Sequence, residues 1–455
     1  MSETIEADVT IVGAGTSGAY LAWKLADAGF DCLVLESDEL KGLGTHIGPF
    51  HMEETAFEEF GIPRPEGDEL LHVFSEMTMW SPGFTSSFQF SFPTFVMDKP
   101  LFIQRLQSYA AGAGARLLEK TAVTGPVLEG GVLKGLAARG ESCEIEVRAR
   151  LVIDASGIDG AVRTMMPASA WFETDPIADE DTIFVYMETW RDVSGDFPDG
   201  VSSYPFHQGW CAPGPGDTRI VGIGMAGSYA AAEERHRRFV ESLPFEGTSV
   251  GSARGRIPYR RPPLSLVDNG LMVVGDAAMM NKPFSGEGVT SAFTACVIAA
   301  RVAARALAAD DLTREALWPY NTAYFRDQGA KFAFLTATLP GVMSMSAGEM
   351  DFFLGVPGLM TEEGSLAMQR DYEIKSDPAN ALKALPALLK GIATGRLSIS
   401  TLLRVGRAAL LASALKFLYE RYPDHPMDFG GWVSKVAPLW QKVDEARHRY
   451  FASIQ

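Results

Sequence analysis

With 455 residues, 47% of them hydrophobic, and 45 glycines, the chain is long enough for two closely packed domains and a further segment, and its composition fits a globular α/β protein. A net charge of −17 argues against nucleic-acid binding, which needs a basic face to meet phosphates. Cys32, Cys143, Cys211 and Cys296 stand far apart and the histidines show no HxxxH or HExxH spacing, so reduced thiols in a cytoplasmic setting are expected and a metal site is not.

The first residues, MSETIEADV, are acidic and lack an apolar core, and no run of eighteen uncharged apolar residues occurs, so neither a signal peptide nor a spanning helix is expected. The run Val9 to Val12 predicts a strand. Gly13, Gly15 and Gly18 follow as GxGxxG and open a segment with helical apolar spacing, Ala19 to Ala28. Strand, tight turn and helix in that order make a nucleotide site: Gly13 allows the turn, Gly15 lets the backbone approach a pyrophosphate, and Gly18 lets helix and strand touch. Free N–H groups near Thr16 and Ser17 then face the phosphates. A second strand, Cys32 to Leu35, ends at Glu36, placed to accept from both ribose hydroxyls and to repel a 2′-phosphate, with Ser37 beside it.

The loop SDELKGLGTHIGPF is too rich in glycine for a helix and suits wrapping a ligand; a helix is expected around Glu53 to Phe60. Alternating polar and aromatic residues from Leu71 to Val96 predict strands with one wet face. A helix, Pro100 to Ala113, a strand, Ala115 to Leu118, a hairpin in VTGPVLEGGVLKGLAA and a buried strand, Arg150 to Asp154, follow. Residues 165–260 alternate in runs such as TIFVYMETW and TRIVGIGMAG and predict an antiparallel sheet, the substrate layer. A buried strand returns in LMVVGDAA, a glycine-rich loop leads into a long helix, Gly288 to Ala308, and the rest reads as helical. The expected division is a discontinuous nucleotide-binding domain, 1–164 with 265–330, which includes a β-rich substrate-layer segment at about 70–98. A substrate sheet, 165–264, and a helical region, 331–455, complete it.

Three motifs in order, GxGxxG with its distant glutamate, DASGIDGAVR at 154–163 and GDAAMMNKPFSGEGVTSAF at 275–293, resemble the FAD-dependent oxidoreductases of the p-hydroxybenzoate hydroxylase fold, and among them the geranylgeranyl reductase family. The resemblance covers about residues 5 to 330. It implies a Rossmann-like FAD domain with an inserted antiparallel substrate sheet. Gly275 and Asp276 would meet the ribityl and diphosphate region, and Pro283, Gly286, Gly288 and Val289 would lead backbone N–H groups to the pyrimidine end of the flavin. It also implies Gly44 and Gly48 in the wrapping loop, Lys99 near the diphosphate, Val123 at the adenine, and Ala155 and Ser156 along the nucleotide. Against the family's Tyr-x-Trp-x-Phe-Pro pattern, Gln208, Trp210, Ala212 and Pro213 stand at the substrate pocket, where the small Ala212 is expected to leave space beside the flavin. Ile47 occupies the position where members often carry cysteine, and Met279 stands where glycine is usual. His46 and Tyr204 are the candidate proton donors.

The segment 378–419 holds Lys383, Lys390, Arg396, Arg404, Arg407 and Lys416 and no acid, which leaves −23 for the remainder of the chain. Around those charges LKALPALLKG and TLLRVGRAALLASALKFLY read as helices with an apolar stripe, so residues 381–419 are expected either to contact a membrane peripherally or to cap the body. The expected function is reduction of carbon–carbon double bonds in a hydrophobic small molecule or prenyl lipid. Electrons would come from NAD(P)H or an electron-carrier protein, since no second dinucleotide fingerprint is present. A flavin monooxygenase, a non-redox flavoprotein such as a cyclase or isomerase, and a lipid-binding scaffold remain open alternatives on the same fold. The expected location is cytoplasmic, with or without membrane association.

Overall fold

The computed structural model describes residues 3–46, 48–169, 171–374 and 378–454. Two eight-stranded sheets organise it. The first contains β1 (Glu3–Val12), β2 (Cys32–Leu35), β6 (Arg116–Leu118), β7 (Ala122–Glu129), β8 (Val132–Arg139), β9 (Glu144–Asp154), β15 (Val267–Asp268) and β16 (Leu271–Val273). Its centre is parallel in the order β16-β9-β1-β2-β6. The central strands are buried on both faces, which is why they read as unbroken apolar runs rather than alternating ones.

The second sheet contains β3 (Phe50–Glu53), β4 (Leu70–Trp80), β5 (Ser87–Met97), β10 (Thr182–Gly195), β11 (Val201–Tyr204), β12 (Gly209–Pro213), β13 (Arg219–Ala226) and β14 (Phe245–Pro258), in the order β14-β10-β13-β12-β11-β4-β5-β3. It is antiparallel except where β11 runs parallel to β4, the seam at which the early and late stretches of chain meet. That seam departs from the expected purely antiparallel layer. Sequence alternation reports which face a residue takes, not which distant strand lies beside it.

Helices α1 (Thr16–Asp27), α2 (Glu54–Glu59), α3 (Lys99–Gly112), α4 (Tyr229–Ser242), α5 (Val289–Ala308) and α6 (Arg314–Tyr324) are followed by α7 (Ala330–Met343), α8 (Ala347–Leu354), α9 (Glu362–Leu366), α10 (Pro378–Ala393), α11 (Ile399–Tyr419) and α12 (Phe429–Ile454). Although no spanning helix was expected, α5 is long and apolar enough to cross a membrane; over half of its apolar window is buried inside the protein. Helix α4 covers one face of the second sheet, with its own Phe239 packed among Tyr204, Cys211 and Val221. The late helices are fastened to the body: Tyr422 donates to the Leu264 carbonyl at 2.8 Å, Trp318 donates to the Pro423 carbonyl at 2.8 Å, and Arg447 reaches Asp181 and the Tyr259 carbonyl. The segment 378–419 is packed on the molecule through α11 against α7, with Arg404 donating to Ser344 at 3.0 Å and the Ser398 N–H donating to Glu349 at 3.0 Å, yet it leaves Leu382, Leu385, Leu389, Ile399, Leu403, Leu410 and Phe417 exposed.

Candidate cofactor and substrate site

After Val12 the chain turns at Gly13 with φ +100°, a conformation glycine adopts without a side-chain clash, and a β-carbon there would lie 2.4 Å from the Ala155 carbonyl oxygen. Strands β1 and β9 are parallel neighbours from which the chain leaves in different directions, so Gly13 and Ala155 stand at a switch point of the sheet, where such folds open a crevice. Gly15 begins α1 with no side chain bonded to the first turn, leaving its N–H groups to a ligand. Gly18 does not border the crevice: a β-carbon there would be 1.9 Å from the Gly13 carbonyl oxygen, so it is the contact between helix and strand.

Glu36 is buried where β2 ends. Its Oε2 accepts from the Ala14 N–H at 2.8 Å, and its Oε1 accepts from the Asp38 N–H at 3.0 Å and the Ser37 hydroxyl at 3.2 Å. These bonds hold the carboxylate in one orientation, and its remaining lone pairs can accept from a ligand.

Across the crevice Asp276 and Lys99 face one another. Burial pushes the Asp276 pKa up and the Lys99 pKa down, and each charge partly offsets the shift of the other. Asp276 Oδ1 also accepts from Asn281 at 3.2 Å. Beyond it the loop to α5 is held by a buried ion cluster in which Lys282 Nζ lies 2.5 Å from Glu53 Oε1 and 3.1 Å from Glu287 Oε2. Burial opposes the Lys282 charge, but Glu287 and Glu53 hold its pKa well above the ordinary value. Helix α5 starts at Gly288 without a side-chain cap, so a second positive helix end opens here. His51, on β3, lies in this neighbourhood with its Nε2 buried and without a hydrogen-bond partner; burial lowers its pKa, while Glu287 pulls the other way.

A single cavity of about 920 Å³ joins these groups to the second sheet. It is bordered by Gly13, Gly15, Thr16, Ser17, Glu36, Ser37, Gly44, His46, Lys99, Val123, Ala155, Ser156, Asp276, Pro283, Gly286, Gly288, Val289, Gln208 and Trp210. The sheet supplies an apolar wall of Met77, Met79, Ile183, Val185 and Met187 beside Trp210. Met279 also borders it, buried and held at φ +56°, which explains why a glycine would sit easily there.

Several expected residues lie elsewhere. Tyr204 is turned away: Ser203 borders the cavity, so its neighbour on the strand points to the opposite face, where the Tyr204 ring stacks on Trp80 and packs against Phe84 and Phe239 under α4. It is not a proton donor to this cavity. Ala212 leaves no space beside a flavin, because it is fully buried in a cluster with Phe74, Met77, Phe90 and Val201, and Pro213, at the end of β12, does not reach the cavity either. Gly48 and Gly275 do not border the cavity, though a β-carbon on either would meet a residue that does, Met187 and Ser17 respectively. His46 is exposed at the rim. Ile47 lies outside the described residues.

Sequence reasoning missed Lys282, Glu53, Glu287 and His51. The first and third flank the loop in KPFSGEG, but Glu53 is 229 residues away and nothing local marks it as their partner. It also missed Arg163, whose buried guanidinium donates to the Ala277 carbonyl at 3.0 Å and so ties the DASG segment to the GDAA loop. Two uncapped helix ends, an oriented carboxylate, a buried cation and closely approached backbone together fit a dinucleotide.

A family model described as FAD dependent oxidoreductase matches residues 8–192. The chain is 25% identical over 445 residues to a digeranylgeranylglycerophospholipid reductase of Sulfolobus acidocaldarius, covering 94% of this chain and 96% of that one. It is 29% identical over 327 residues to a protein of the same name from Methanoculleus marisnigri, covering 69% and 80%. Among solved structures it resembles a geranylgeranyl bacteriochlorophyll reductase-like protein of Thermoplasma acidophilum, with a TM-score of 0.72, 21% identity and 86% and 99% coverage. A flavin-dependent brominase gives a TM-score of 0.65 at 16% identity, over 85% and 98% of the two chains. At these identities the structural likenesses establish the fold, which serves more than one chemistry.

Proposed function

We propose, for a chain that belongs to the geranylgeranyl reductase family of FAD-dependent oxidoreductases, the reduction of carbon–carbon double bonds in an isoprenoid or other lipid-like substrate. The observation that carries this reading is the cavity itself, in which a dinucleotide cradle faces an apolar wall of methionine, isoleucine and valine side chains suited to a hydrocarbon chain. FAD, when bound and reduced, supplies the hydride for one alkene carbon.

The residues of the chain do the rest. With FAD bound, Glu36 would accept from the ribose, the first turn of α1 and Lys99 would hold the diphosphate, and the pinned loop with the α5 terminus would offer N–H groups to the pyrimidine end. Met77, Val185, Met187 and Trp210 hold the alkene and exclude water. The proton for the second alkene carbon is held at His51 Nε2, the buried ring nitrogen without a partner. Electrons arrive from NAD(P)H bound transiently or from an electron-carrier protein, which stopped-flow reduction by NADH, NADPH and a reduced ferredoxin distinguishes.

The exposed leucines of α10, flanked by Lys383 and Lys390, and the exposed Ile399, Leu403 and Phe417 of α11 form a face suited to an anionic membrane surface, and we place the protein at the cytoplasmic side of one. The basic side chains of this segment do not all share that face. Arg404 donates to Ser344 at 3.0 Å, Arg396 lies over the Phe352 ring, and Lys416 is 3.9 Å from Glu373, so apolar insertion carries more of the contact than the charge count alone implies. Anaerobic reduction of the bound flavin followed by mixing with prenyl lipids tests the central reading. A mass gain of two hydrogens supports it; a mass gain of one oxygen on admitting air, with no hydrogenated product, replaces it with a monooxygenase.

A further inference from the structure

One buried cluster beside the loop before α5 is out of electrical balance. Lys282 Nζ lies 2.5 Å from Glu53 Oε1 and 3.1 Å from Glu287 Oε2, so two carboxylates share one ammonium. The Lys282 side chain is 4% exposed and that of Glu53 13%, so water does little to screen the surplus negative charge.

The cluster is held in place by the backbone. The Lys282 N–H donates to the Glu287 carbonyl and the Gly286 N–H to the Lys282 carbonyl, both at 2.9 Å, which closes the loop on itself. The Ser285 hydroxyl donates to Glu287 Oε2 at 3.2 Å, the same oxygen that Lys282 holds. The carboxylate of Glu287 is therefore fixed through one oxygen, and the other is left to act on its surroundings.

His51 is the group that can restore the balance. It precedes Glu53 by two residues on β3, so the two side chains leave the same face of the strand. His51, Lys282 and Glu287 all border the cofactor cavity, and His51 Nε2 is buried without a hydrogen-bond partner. A proton on that ring would bring two acids and one ammonium to neutrality. The neighbours on the adjoining strands add no charge: Val96 stands opposite His51 on β5, and the Phe74 ring of β4 meets the imidazole edge-on at 5.8 Å. Tyr372, whose ring lies 5.6 Å from the Lys282 ammonium, stays neutral because burial pushes its pKa up to about 12. Lys99 and Asp276, which also border the cavity, offset one another. Burial opposes an imidazolium at His51 and the Glu287 charge supports it; burial likewise opposes the Glu287 charge and Lys282 supports that.

We propose that Glu287 is a positioning residue for the proton of the reaction: its carboxylate, fixed by Lys282, holds His51 in the imidazolium form until the proton leaves for the alkene. The proposal rests on the lipid-reductase reading and adds to it what keeps the acid charged. In the step itself the N–H bond at His51 Nε2 breaks and its electron pair stays on the ring as neutral imidazole. The π pair of the alkene takes the proton as the new C–H bond at the second carbon, the first carbon having received the hydride, and a proton from water restores the imidazolium.

The test is an NMR titration of the FAD-loaded, oxidised full-length protein carrying isotope-labelled histidine, with the His51 signal identified among the seven histidines by its loss in His51→Gln. Glu287→Gln should lower the His51 midpoint by about one pH unit, a tenfold loss of imidazolium at any pH well above it. Glu53→Gln, which leaves one acid for one ammonium, should lower it as well, and it carries the test if Glu287→Gln fails to fold. Glu287→Asp keeps the charge and should restore the midpoint to within about 0.3 of the unaltered value. Single-turnover oxidation of reduced flavin by a prenyl lipid gives the second readout: in Glu287→Gln the limb that rises toward acid should move down by the same amount, whereas damage to packing alone would lower the rate equally at every pH. A midpoint that stays in place in both Gln variants overturns the proposal, and continued reduction of the lipid would then leave the reductase reading intact. A midpoint that moves in a protein that hydrogenates no prenyl lipid overturns it by removing the reading beneath it.

Discussion

The indole of Trp210 fills the space in front of Gly222: the two residues pair across β12 and β13, and a β-carbon on Gly222 would fall 2.2 Å from the ring. The aromatic wall of the substrate cavity therefore depends on the absence of one side chain on the next strand. Gly222→Ala should push the indole toward the substrate at an overpacking cost of about 1–3 kcal/mol. Turnover of a prenyl substrate should fall by roughly tenfold or more while FAD content stays at the unaltered level, which absorbance ratio and steady-state kinetics read separately. Loss of flavin together with activity would place Trp210 at the cofactor instead.

Glu36→Arg should yield a colourless protein, because a buried cation would then stand against the Ala14 N–H and the ribose hydroxyls. Glu36→Gln keeps the shape but loses a charge-assisted bond of about 1.5–3 kcal/mol, so flavin affinity should drop by roughly tenfold to a hundredfold. Titration of the flavin-free protein with FAD measures both.

Lys282→Met leaves Glu53 and Glu287 buried without their cation and should cost about 3–5 kcal/mol of stability. The pH dependence has a defined sign. The Glu287 carboxyl is held below its usual range, so its contribution is complete above the unfolded value of about 4.3 and is lost as pH falls through the folded value. The Lys282 ammonium is held high, so its contribution is complete below about 10.4 and is lost only as pH rises through its folded value. The gap between unaltered and Lys282→Met denaturant midpoints should be widest between those limits and narrow toward acid. A gap independent of pH would mean the loss is one of packing.

His51→Gln should slow the oxidation of reduced flavin by substrate by about a hundredfold or more, with flavin reduction by the electron donor unchanged. Burial sets the His51 pKa below its usual 6.5, so the protonated fraction, and with it the single-turnover rate, should rise as pH falls and level off in acid. That limb should be missing in the variant. A pH profile shared by both proteins would remove His51 from the proton path.

Leu385→Asp with Leu389→Asp changes two exposed side chains on α10 and should leave the fold intact. Sedimentation with anionic vesicles at low salt should fall severalfold, since apolar insertion is lost and repulsion from the headgroups is added. Retention equal to that of the unaltered chain would move the membrane contact elsewhere.

The strand, turn and helix around Gly13 were legible in the chain because their causes are local: apolar runs, glycine spacing and a helical period act between residues a few positions apart. Glu36 was legible for the same reason, as the next strand ends at it. The choice between Ser203 and Tyr204 was not, since one residue of strand phase decides which side chain meets the cavity, and that phase is set by β12 and by β4, more than a hundred residues earlier. Lys282 found its partner in Glu53 only once β3 and the α5 loop were brought together, and the basic residues of α11 became part of a charged cavity only when α4 and α12 closed around them. Sequence determined which segments form and which loop can hold a dinucleotide. Tertiary structure decided which faces meet, because burial energy depends on the area two elements cover jointly and neither element carries that information alone.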